Sequence, residues 1–130
     1  MSSTLIRSKY LVTRVIDRHK VELIEDGAIY QEGGKVVATG PFEELARTYP
    51  NAPVTGSQGW VILPGFVNSH HHVGLTPLQL GSPDYALELW FAGRFGGRKP
   101  DLYLDTLYSA FEMIESGVTT VQHIHGWIPG

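Results

Sequence analysis

Three consecutive histidines, His70-His71-His72, are the residues in this 130-residue chain best suited to do chemistry. On a β-strand, positions i and i+2 share a face. His70 and His72 would then converge on one ion while His71 points away. Imidazole nitrogen suits zinc, iron and similar metals. The chain has no cysteine, so any metal rests on His, Asp, Glu or Lys, and no disulfide framework or thiolate site exists. The same triplet also fits a surface cluster or satisfied core histidines, and the bare spacing leaves both readings open. Other polar and aromatic residues carry weaker signals. Trp127 can stack on a flat heterocycle or pack in a loop. Gln79 can hydrogen-bond a substrate or sit solvated. Arg94, Arg98 and Lys99, with glycines between them, read as a solvated loop, and His19 as a surface turn residue.

The elements that must position the histidines change character midway. Leu5–Val15 and Lys20–Ile24 read as short β-runs separated by Asp17-Arg18-His19, and Asp26-Gly27 reads as a further turn. Residues 28–32 and 35–39 flank Gly33-Gly34, a pair suited to a tight hairpin with positive φ. Pro41 suits a helix start, with a short helix over Phe42–Arg47. Trp60–Leu63 reads as a strand ended by Pro64-Gly65. Phe66–His72 follows as a strand and Ala86–Phe95 as a helix. Asp101–Ser116 is a stronger helix, because Leu104, Leu107, Phe111 and Ile114 recur at helical spacing. Gly117 suits its C-terminal cap, and Val118–Val121 is a β-branched strand. Strands followed by strand–helix–strand predict a small β-domain over residues 1–63 and the opening of a parallel α/β fold over 64–130.

Composition narrows the function classes. A hydrophobic content of 42% can build a core, and a formal charge of −3 without charge blocks points away from nucleic acid and from disordered tails. The first residues lack the apolar run of a signal peptide, and no window reaches the ~18 apolar residues of a membrane span. The expectation is a soluble cytoplasmic protein without nucleic-acid or membrane partners.

The stretch Pro64-Gly65-Phe66-Val67-Asn68-Ser69-His70-His71-His72 resembles the first barrel strand of the amidohydrolase superfamily, whose members carry a Pro-Gly-Phe-Val-Asn/Asp-Ser/Thr-His-x-His motif. The segments 24–29 and 33–40 are similar to the hairpin of that family's small β-sandwich. The resemblance covers nearly the whole chain. It implies an α/β fold in which part of an N-terminal β-sandwich precedes the first two strands of a (β/α)8 TIM barrel, truncated because a complete barrel takes about 250 residues. His70 and His72 would end the first barrel strand, and His123 and His125 the second, at the mouth where such barrels keep their active sites. With the opposite barrel wall lacking, Val67 or Val121 would stay partly exposed.

Within that superfamily the chain is most similar to aminohydrolases and chlorohydrolases of nitrogen heterocycles. Residues 78–90, with Gly81, Asp84, Leu87 and Trp90, resemble the loop after their first strand, and residues 117–121 their second-strand region. His125 matches a histidine found near substrate in some relatives, whereas His123 stands where some have Asp. The resemblance implies a divalent metal, zinc with iron as the alternative, held by His70 and His72. It also implies a small heterocyclic substrate of guanine, oxopurine, triazine or adenosine-like type, for which His125, Trp127 and Gln79 are candidate binding residues. Metal-activated water would attack the ring carbon and release ammonia. The remaining ligands and the acid/base are expected beyond Gly130, so the chain by itself would be inactive. A homodimer of the full-length protein stays open. The alternative is a non-catalytic structural or interaction relative on the same fold.

Overall fold

Hydrogen bonding between two long runs rich in Leu, Ile, Val and Tyr builds the first hairpin: β1 (Ser3–Asp17) pairs antiparallel with β2 (Lys20–Glu32). The computed structural model describes residues 2–73, 75, 85–96 and 101–124, apart from the side chains of 94 and 95. The turn falls at Arg18-His19 as expected, where the Asp17 carboxylate accepts from the His19 amide at 2.7 Å. β2 continues into β3 (Lys35–Pro41) through Gly33-Gly34, whose φ values of 58° and 79° suit a residue without a Cβ. After Pro41, α1 (Phe42–Thr48) leads to β4 (Val54–Ile62), which returns to lie parallel to β1. The sheet order is β3-β2-β1-β4.

Register decides what this sheet buries. Leu5 stands opposite Tyr30, Tyr30 opposite Ala38, and Arg7 opposite Ala28. Directly paired residues share a face, so Leu5, Ala28 and Tyr30 converge, and Leu45 of α1 closes over them with Phe42 and Ala46 packed alongside. The Tyr30 and Tyr49 rings stack at 3.7 Å. Burying a side chain such as Leu5 contributes about 1.5–3 kcal/mol.

Two sequence expectations change here. Asp26-Gly27 does not turn; β2 runs through it. Gly27 pairs with Ser8 on one side and Pro41 on the other, so both neighbouring strands hold the chain extended. The irregularity is confined to Asp26 at φ 46°. Its carboxylate accepts two bonds from Arg7, Nε at 2.7 Å and Nη2 at 2.9 Å, and a third from Gln58. Arg7 in turn lies 4.1 Å from the centre of the Phe42 ring. β4 also departs from the expected Trp60–Leu63: it begins at Val54, taking in Val54–Gly59, and ends at Ile62. Its glycines and serine hide a strand that exists because β1 offers a free edge for parallel pairing.

Residues Met1–Pro64 and Gly65–Gly130 form two compact units. In the second, β5 (Phe66–His71) and β6 (Val118–His123) pair in parallel, with α2 (Leu87–Gly96) and α3 (Leu102–Glu115) between them in sequence. That is the expected strand–helix–strand crossover. Asp101 caps α3 by accepting from the Tyr103 and Leu104 amides, and Gly117 follows it at φ 79°. The stripe Leu104, Leu107, Phe111 and Ile114 that marks the helix in sequence is exposed, and the buried α3 positions are Asp105 and Ser109. Val67 is exposed as well, and Val121 half-buried. Among the described residues no helix is long and apolar enough to cross a membrane.

The Arg7–Asp26 pair makes unit 1 sensitive to acid. The Arg7 hydrogen bonds hold the Asp26 carboxyl below its ordinary value of 3.8. A depressed folded pKa stabilises above the unfolded pKa, and that contribution vanishes as pH falls through the folded value. Arg7→Met should therefore be less stable than the parent at pH 7, with the gap closing as pH drops below 3.8. Denaturant titrations across pH 2–7 check this; a gap independent of pH would assign the loss to packing on Phe42 instead.

Candidate metal centre

The candidate centre begins with how β5 enters its sheet. Pro64-Gly65 leads in, and the Phe66 amide donates to the Gly117 carbonyl at 2.9 Å. A Cβ on Gly65 would collide with the Thr119 side chain, 2.7 Å from its Cβ and nearer still to its outer atoms. Glycine is thus the residue that lets β5 approach β6 here. From that start, Phe66 pairs with Val118, Asn68 with Val121 and His71 with His123, so the two strands end side by side.

At that end, His70 and His72 come together. Their ring centres lie 5.2 Å apart, with the planes nearly perpendicular. Two imidazoles bound to one ion at about 2.0–2.1 Å in near-tetrahedral geometry would place their ring centres about 5 Å apart. The observed spacing fits that arrangement. The His70 amide donates to the Asn68 side-chain oxygen at 3.2 Å, a local bond that tightens the strand end. His72 Nδ1 lies 3.0 Å from the Ile124 carbonyl. A carbonyl only accepts, so Nδ1 carries the proton and the neutral ring keeps its free lone pair on Nε2. His71 is half-buried, and its Nε2 is enclosed with no hydrogen-bond partner among the described residues.

The donor set therefore suits a divalent ion, but only in part. Catalytic zinc takes three protein ligands and an open position, and among the described residues no group of three or more His, Asp or Glu side chains could hold a metal. Gln79, His125 and Trp127, the candidate substrate contacts, lie outside the described residues. His19 belongs to the β1–β2 turn, where Arg18 Nε donates to its Nε2 at 2.8 Å. The contacts that Ile124 and His123 make with residues 71–73 escaped sequence reasoning. Their signal was the parallel register, which places the ends of two histidine-bearing strands next to each other.

Comparison with known proteins adds context. Residues 23–52 match the family model of the imidazolonepropionase-like composite domain of bacteria. The chain is 30% identical over 129 residues to a 5-methylthioadenosine/S-adenosylhomocysteine deaminase of Thermodesulfovibrio yellowstonii, covering 93% of this chain and 29% of that protein. It is similar in structure to the triazine hydrolase from Arthobacter aurescens, with a TM-score of 0.73 and 26% identity over 100% of this chain and 30% of that one. The guanine deaminase of E. coli gives a TM-score of 0.66 at 27% identity, covering 96% of this chain and 30% of its own. The chain thus spans less than a third of the length of these relatives.

The close approach at Gly65 is directly testable. Gly65→Ala should destabilise the protein by about 1–3 kcal/mol, the usual cost of overpacking, and Thr119→Ala in the same protein should return part of that loss. Chemical denaturation of the single and double variants measures both. A Gly65→Ala protein as stable as the parent would show that β5 and β6 can separate without penalty.

Proposed function

We propose that this chain, which belongs to the amidohydrolase superfamily, contributes the first two metal ligands, His70 and His72, to a hydrolase that deaminates a nitrogen heterocycle. The observation that carries the reading is the pair itself: two imidazoles 5.2 Å apart at the end of a parallel strand, one of them held by a carbonyl so that Nε2 is left to bind. On this reading residues 1–63 are the β-domain part and residues 64–130 the opening of the barrel. The similarity to deaminases of adenosine derivatives and guanine and to a triazine hydrolase supports a flat, nitrogen-rich ring as substrate.

The residues would divide the work as follows. His70 and His72 hold a divalent ion, zinc with iron as the alternative. When bound, such an ion supplies a coordinated water with a pKa near ~7, able to serve as the nucleophile at neutral pH. Asn68 fixes the backbone at His70, and the Ile124 carbonyl fixes the tautomer and tilt of His72. The proton transfers that release ammonia need an acid/base, which we assign to residues outside the described ones, with His125, Trp127 and Gln79 as substrate contacts.

Metal analysis of the full-length protein tests the assignment. His70→Ala and His72→Ala should each lose bound zinc and reduce ammonia release from adenosine-, guanine- and triazine-type rings to background, while His71→Ala keeps its metal. Retention of metal by both outer variants, or equal loss at His71→Ala, would overturn the facing assignment.

A further inference from the structure

His72 is held from two sides, and only one of them is the Ile124 carbonyl. Among the described residues, three bonds cross between the ends of β5 and β6. The Ile124 amide donates to the His71 carbonyl at 2.9 Å. His72 Nδ1 donates to the Ile124 carbonyl at 3.0 Å. The Val73 amide donates to His123 Nδ1 at 3.3 Å. The first and third clamp the backbone immediately before and after His72, and the second clamps its ring. His71 is the last residue of β5 and the last paired with β6, after a register shift between Asn68 and His71, so residues 72 and 73 lie beyond the ladder. Without the ladder, the backbone at His72 is placed by these contacts.

We propose that His123 is a positioning residue for the metal ligand His72: through Nδ1 it holds the Val73 amide and so fixes where the His72 ring starts. The role rests on the reading of His70 and His72 as ligands. It requires the Nε2–H tautomer of His123, because Nδ1 accepts. It makes His123 a group that orients a ligand rather than a ligand itself. The bond is solvent-exposed, so it contributes placement rather than stability. Groups that orient a ligating histidine typically change metal affinity by about 10–100-fold when removed.

The side-chain geometry supplies the control. Asparagine carries its Oδ1 the same number of bonds from Cα as the Nδ1 of histidine and can accept the Val73 amide. Leucine fills the same space and cannot. In the full-length protein, zinc affinity by chelator competition should fall about 10–100-fold for His123→Leu and stay within about 3-fold of the parent for His123→Asn, with thermal stability little changed in both. In metal-free protein labelled with 15N-valine, the Val73 amide resonance should move in His123→Leu and return toward the parent position in His123→Asn. Equal loss of affinity in the two variants, or unchanged affinity in His123→Leu while His72→Ala loses zinc, overturns the positioning role alone. Retention of zinc by His72→Ala overturns the ligand reading together with it.

Discussion

The parallel ladder between β5 and β6 is the constraint on which the candidate centre depends. Parallel neighbours begin at the same end and finish at the same end, so pairing Phe66 with Val118 near the start obliges His71 and His123 to meet at the finish. A helical crossover is what allows two strands close in sequence to run the same way, and α3, capped by Asp101 and closed at Gly117, delivers the chain to the start of β6. Gly65 permits the approach at the entry, where any side chain would strike Thr119. The histidine pair at the far end is thus positioned by contacts several residues away from any metal chemistry.

The end of β5 also shows that strand alternation alone does not set an imidazole for binding. Strand alternation places His70 and His72 on one side, but it leaves the ring angle and tautomer open. The Ile124 carbonyl supplies both for His72. Deprotonated nitrogen is the ligand, and a hydrogen bond at the other nitrogen decides which one that is. The local Asn68 contact does comparable work for the backbone at His70.

Unit 1 follows a different logic, in which one buried cluster and one ion pair settle a sheet. Leu5, Ala28, Tyr30 and Leu45 form the core, and Arg7 links β1 to Asp26 of β2 and to the Phe42 ring of α1. Gln58 of β4 reaches the same carboxylate. Asp26 is therefore a meeting point of three strands, and its positive φ is tolerated because those partners hold it, as Asp tolerates the left-handed region better than most residues.

Much of this architecture was legible in the sequence, and the reasons differ by element. The Gly33-Gly34 hairpin, the Pro41 helix start, the α3 helix with its Gly117 end and the β-branched β6 are encoded by local backbone preferences, which act without help from the rest of the chain. The His-x-His spacing likewise determines which two rings share a face. What only the tertiary structure decided are features set by a partner strand. Asp26-Gly27 has turn-forming residues yet stays extended between β1 and β3; Val54–Gly59 has weak strand propensity yet pairs with β1. The apolar stripe of α3 predicts the helix but not its facing, since Asp105 and Ser109 are the positions buried. The bonds from Ile124 and His123 to residues 71–73 join groups about fifty positions apart, and no local preference encodes such a contact until the parallel register brings the two strand ends together.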